Sequence, residues 1–141
     1  MAIELVRITT RTGALRAAKW GAIACWLQFL RGTFRNVIQV TELDAPVDSA
    51  VVWFAGASII PAILLVAGVR LWRGTGIVLG IGAALLMMVD VLFYAPGLSS
   101  IAAIVASIVK IGIVILIANG VRGSMALKNT DFDAPMRRVF D

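Results

Sequence analysis

From 49 to 69 the chain runs 21 residues without a charge, and from 98 to 121 it runs 24 residues broken only by Lys110. Each is long enough to cross the hydrocarbon of a bilayer as a helix, which takes about 20 apolar residues. A third stretch, 74–94, adds 21 residues with Asp90 near its end. Ala95-Pro96-Gly97 separates it from the last one, because proline and glycine together stop a helix and turn the chain. A segment without water must satisfy its backbone internally, so these stretches predict helices and exclude open sheets.

The first segment is less regular. Its strongly apolar part, 20–30, has 11 residues and would rise only about 17 Å. To cross, it must borrow from both sides, over about 15–38. Arg16 and Lys19 then snorkel to one interface, and Arg31 and Arg35 to the other. Charge bias favours a full crossing over a re-entrant segment. Basic residues gather in the N-terminal tail (Arg7, Arg11, Arg16, Lys19), around Arg70 and Arg73, and after 121 (Arg122, Lys128, Arg137, Arg138). Four spans put all three groups on one side, cytoplasmic by the positive-inside rule. Glu42, Asp44 and Asp48 then lie outside. The sequence thus predicts an all-α integral membrane protein of one domain, 1–141. It is an up-down bundle of four transmembrane helices (15–38, 49–69, 74–94, 98–121) with both termini inside, and 122–141 as a polar cytoplasmic tail. A bacterial plasma membrane is the expected location.

Composition narrows the function. Of 141 residues 60% are hydrophobic and 15% charged, against roughly half and a quarter in a soluble domain. The net charge of +5 is spread over termini and one loop, so topology accounts for it and a nucleic-acid partner is not expected. There is no histidine and one cysteine, Cys25. The usual haem and metal ligand, the commonest general base and any internal disulfide are therefore missing. No cofactor, metal or enzymatic activity is expected. Residues 1–12 lack the apolar run of a secretory signal.

Asp90 and Lys110 are the residues that chemistry must explain, since a charge at membrane depth costs about 3 kcal/mol even on lenient scales and seeks a partner. Measured from the Pro96 turn, Lys110 lies eight residues deeper than the level of Asp90, about 12 Å. Helical side chains lean toward their own N-terminus, and these helices run oppositely, so the lysine leans toward the acid. An ion pair, direct or through one water, is within reach. It is either a structural clamp or a proton or ion site. Ser100 and Ser107 share a stripe with Lys110 and are its expected polar neighbours.

Gly76, Gly80 and Ala84 space small residues four apart on the third segment, and Ala102 with Ala106 does so on the fourth. Such surfaces let helices approach closely in lipid, within one chain or between chains. Pro61 removes the hydrogen bond to the carbonyl of Ala57 and predicts a kink with a free acceptor. Gln28, Arg31, Arg35 and Gln39 fall along one side of the first segment, as an interfacial rim or as a polar wall facing a cavity or an anionic group such as a lipid head. Trp53, Phe93 and Tyr94 would mark the outer interface, and Trp20 and Trp72 the inner.

In length and number of helices the chain resembles the small multidrug exporters. The acidic residue of their first helix has no counterpart, because Glu4 precedes a segment that is basic. The expected function is a non-enzymatic subunit or accessory protein that works through helix contacts with itself, other membrane proteins and lipid. The alternative is a small proton- or cation-coupled transporter or channel built on Asp90 and Lys110.

Overall fold

A computed structural model of the chain describes residues 8, 10–42, 46–94 and 101–129, and within the helices every side chain except those of 93, 94, 102 and 103. The described residues are 93% helical, without a strand. Asp44, the Pro96 turn, Ser100 and the tail 130–141 lie outside them, as does the side chain of Ala102.

Helix α1 (Arg11–Glu42) is continuous over 32 residues, about 48 Å, longer at both ends than the expected 15–38. Thr10 starts it by accepting from the Gly13 amide through Oγ1 at 3.1 Å, which satisfies one of the four unpaired N–H groups of a helix start. Alanines carry the early turns: Ala14, Ala17, Ala18, Ala22 and Ala24 are all buried. They favour helix and keep the face flat.

Helices α2 (Val47–Ala57) and α3 (Ile59–Trp72) form one 26-residue rod with Ser58 as its joint. The ladder crosses the joint, since the Ser58 amide donates to Phe54 O and the Ala62 amide to Ser58 O, each at 3.0 Å. Pro61 has no N–H to offer Ala57, and there the rod is interrupted. The rod ends at Gly74, with φ +71°. The Gly74 amide donates to Leu71 O at 2.9 Å and the Thr75 amide to Arg70 O at 3.0 Å, the paired bonds of a Schellman stop, which needs a left-handed residue at that point.

That stop corrects the expected start of the third segment. Gly74 and Gly76 belong to the turn, and helix α4 is Ile77–Tyr94. A Cβ on Gly76 would strike the Leu71 and Arg70 backbone, so this glycine packs a turn and not a helix face. Helix α5 (Ile101–Asn129) runs eight residues beyond the expected end at 121. Its extra turns stay helical because Gly123 and Ser124 are buried, and Gly123 lies against Ala14, Ala17 and Ala18; the expected polar tail is helix as far as 129.

Four rods result: α1, α2–α3, α4 and α5. Their common core is Ala22, Ala24 and Cys25 from α1, Leu64, Ala67 and Leu71 from α3, Ala83 and Met87 from α4, and Ile117 and Val121 from α5. The most extensive packing joins the first and last helices. There Gly21 and Gly120 face each other so closely that a Cβ on either would lie 2.7 Å from the other's Cα. Elsewhere Gly32 meets Pro61, Gly68 lies under the Trp26 indole and the Ala22 carbonyl, and Gly80 lies against Leu71 and Val121.

The small-residue surfaces are thus partly relocated. Gly80 is in the interior, but Ala84 is only half-buried and Ala106 is exposed. The inward stripe of α4 is Gly80, Ala83, Met87, since burial follows the i, i+3, i+7 side of the helix, and the four-residue spacing drifts off it.

Candidate functional site

The two ionisable residues meet. Lys110 Nζ lies 2.7 Å from Asp90 Oδ2, joining α5 to α4 directly with no water needed between. The partners are unequally placed, with the lysine side chain 4% exposed and the aspartate 36%. Lys110 is enclosed because it faces inward from α5; Asp90 follows Met87 by three residues on the inward stripe of α4, and opens onto a cavity. Ser107, one turn before Lys110, is half-buried.

That cavity has a volume of about 310 Å³ and lies between α1, the α2–α3 rod and α4. Its polar wall is α1: Gln28, Arg31, Arg35, Asn36 and Gln39 all line it. A 3.6-residue period puts 28, 31–32, 35–36 and 39 on one side of a helix, so the arrangement follows from spacing alone. The opposite walls are apolar, from Ile60, Pro61 and Leu64 of α3 and Leu86 and Met87 of α4, with Trp53 from α2. Gln28 and Asn36 are buried, whereas Arg31 and Arg35 are exposed along it.

Sequence reasoning singled out the four other polar residues of this wall but not Asn36. Its Nδ2 donates to Ala57 O at 2.9 Å, the carbonyl that Pro61 leaves without a helical partner. The acceptor expected to be free is therefore taken. A signal for this was present: a proline inside a long apolar helix leaves a carbonyl that calls for a donor on a neighbouring helix, and Asn36 is the one asparagine of α1.

At the other end of the rods the Trp26 and Trp72 rings stack at 5.3 Å between centroids, and Lys19 Nζ sits 5.1 Å over Trp72. Trp20, Trp53 and Trp72 are exposed. Among the described residues no three acidic or cysteine side chains come together as metal ligands.

No protein-family model matches the chain, and no curated protein or solved structure shows significant similarity to it.

Proposed function

We propose that this chain is a small integral membrane protein whose four rods span a bacterial plasma membrane up and down, with both ends cytoplasmic, and that the cavity beside Asp90 is its working site. Lipid contact is supported by what the helices leave outside. Two rods, Val47–Trp72 and Ile104–Asn129, are long and apolar enough to cross, and only 17% and 22% of their most apolar windows are buried. The core helix of a soluble protein would be covered, because exposed apolar area costs about 25 cal/mol per Å² in water. Phe34, Val52, Val78 and Leu92 all face outward.

Residue pairings support the alternation of direction. As numbers rise along α1 from Ala22 to Gly32 to Asn36, their partners fall from Gly68 to Pro61 to Ala57. Gly80 with Val121 and Asp90 with Lys110 do the same for α4 and α5. Arg11, Arg16 and Lys19 then share one end with Arg70, Arg73, Arg122 and Lys128, while Glu42 and Asp48 take the other. That is the bias expected of a cytoplasmic and an outer face.

One observation carries the functional reading: a cavity with one polar wall, lined by Arg31, Arg35 and Asp90, sits among helices whose outer faces are apolar. Polar groups at such depth normally mark a solute or ion path. We assign the chain to the transporter or channel class, with Asp90 as the cavity carboxylate, Lys110 as its enclosed counter-charge, and the Pro61 joint as the point where the rod bends. In proteoliposomes with an entrapped pH dye, the wild-type chain should dissipate an imposed proton gradient faster than protein-free vesicles, and Asp90→Asn should not. Equal rates in all three would sink the transport reading.

A second reading, an accessory subunit acting through helix contacts, is favoured by Gly56, Gly82 and Gly112. A Cβ at any of them meets nothing within 4 Å, which leaves room for a helix of another subunit. It predicts a self-associated or hetero-oligomeric particle in mild detergent that Gly112→Leu disperses; a monomer in both would exclude it.

A further inference from the structure

We propose that the groove between α1 and α3, at the basic end of the rods, holds the head group of an anionic phospholipid on Arg16, Lys19 and Arg73, with the stacked Trp26 and Trp72 rings as its floor. This rests on the reading of the rods as membrane-spanning and is independent of the cavity. The groove is built by packing. Gly68 has no side chain and lets the Trp26 indole lie against α3, beside the Ala22 carbonyl, where it stacks on Trp72 at 5.3 Å between centroids. Lys19 Nζ stands 5.1 Å over the Trp72 ring. The ring face attracts that ammonium, which still has N–H groups to give to an anion. At about 100° per residue, Arg16 lies within about 60° of Lys19 around α1. Arg73 follows Trp72 on the side of α3 away from the buried Leu71, so cations from both helices flank one groove.

Charge selects the occupant. Arg16 and Lys19 stand one turn apart on a helix and repel each other. The acids among the described residues, Glu42, Asp48 and Asp90, all lie toward the opposite ends of their rods. A phosphate seated between the two helices relieves that repulsion, and arginine forks suit its several oxygens. The apolar flank selects a lipid over a free anion. On α1, Leu30 falls on the same side as Lys19 and Trp26, and on α3, Leu65 and Val69 fall on the same side as Trp72, by the 3.6-residue period. All three aliphatic side chains are exposed and lead from the cations toward the middle of the rods. An inorganic anion leaves them bare, whereas a phospholipid lays its acyl chain along them with its phosphate at the basic end. Basic pockets between membrane helices take anionic head groups in this way, and tryptophan is at home at head-group depth.

The test reconstitutes the full chain in phosphatidylcholine vesicles in which a minor share of the lipid carries brominated acyl chains, on phosphatidylglycerol or on phosphatidylcholine, and reads quenching of tryptophan fluorescence. Trp26 and Trp72 report from the groove. Brominated phosphatidylglycerol should be preferred by about fivefold, the worth of roughly one basic residue at an anionic surface. Arg16→Gln, Lys19→Gln and Arg73→Gln together should abolish that preference. Arg11→Gln, Arg70→Gln and Lys128→Gln together remove the same charge from the same end and should leave it intact, as should Lys19→Arg, which keeps a cation over the ring. Helicity by circular dichroism confirms that each variant is folded. A preference unchanged in the folded groove variant, or lost equally in the control variant, overturns the inference, since the second result makes the attraction a property of the whole basic end. The brominated phosphatidylcholine separates the levels of failure. If it quenches and phosphatidylglycerol does no better, this inference alone falls; if neither lipid quenches, the membrane-spanning reading beneath it falls as well.

Discussion

The Asn36 side chain donates to the Ala57 carbonyl at 2.9 Å, four residues before the proline that deprives this carbonyl of its helical donor. One amide thereby closes the gap in a neighbouring rod and fixes the height of α1 against it. Polar contacts of this kind between membrane helices are worth about 0.6 kcal/mol, and up to about 1.7.

Replacing Asn36 with leucine should therefore lower stability by about 1 kcal/mol, read from unfolding of the detergent-solubilised protein. Pro61→Ala restores an amide at residue 61 that can serve Ala57, so Asn36→Leu in that background should cost clearly less. An equal cost in both backgrounds would mean that the bond to Ala57 is not the reason Asn36 matters.

The ion pair should respond asymmetrically. Asp90→Asn removes the carboxylate beside an ammonium that is 4% exposed, whereas Lys110→Met leaves a carboxylate that is 36% exposed and faces the cavity. Breaking a buried pair costs about 3 kcal/mol or more when the remaining charge stays buried. The aspartate variant should thus be the less stable of the two, and the double variant should recover much of the loss. Thermal unfolding of the three proteins decides it; a lysine variant as unstable as the aspartate variant contradicts the difference in enclosure.

Gly21→Ala should loosen the seam between α1 and α5, because its new methyl would lie 2.7 Å from Gly120 Cα, a backbone atom that cannot rotate away. Overpacking of this kind costs about 1–3 kcal/mol. Gly112→Ala, where the methyl meets nothing within 4 Å, should be neutral or slightly stabilising, since alanine is the better helix former. Matched unfolding curves for the two would refute the close contact.

Gly74→Ala should cost about 1–2 kcal/mol, because φ is +71° there and a Cβ disfavours the left-handed region. A Cβ would also lie 2.8 Å from Leu127 Cδ1, a flexible tip, so strain outweighs crowding. Asparagine, which tolerates that region better, should cost less than alanine; the reverse order in melting temperature would argue against the Schellman stop.

Much of the rod plan is legible in composition. Long apolar runs, free of charge in α2–α3 and broken by one charge each in α4 and α5, located these rods, and polar spacing on α1 aligned Gln28, Arg31, Arg35 and Gln39 before any partner was known. Ends were less legible. Helix α5 continues through Arg122 to Asn129 because small residues there pack on the alanines of α1, a long-range contact that local hydropathy does not encode. The close approach of Gly21 to Gly120 was missed for the same reason: its two glycines lie 99 positions apart.

What the sequence determined by itself is how much of the chain is apolar helix and which residues carry charge within it, since both follow from side-chain chemistry and a 3.6-residue period. Tertiary structure alone decided that Lys110 is enclosed while Asp90 opens onto a cavity, that Asn36 completes the backbone Pro61 leaves unpaired, and that the arginine wall of α1 faces apolar walls from α3 and α4. Each of these depends on rotation and height of one helix against another, and those are set by packing of small and large side chains across the whole core.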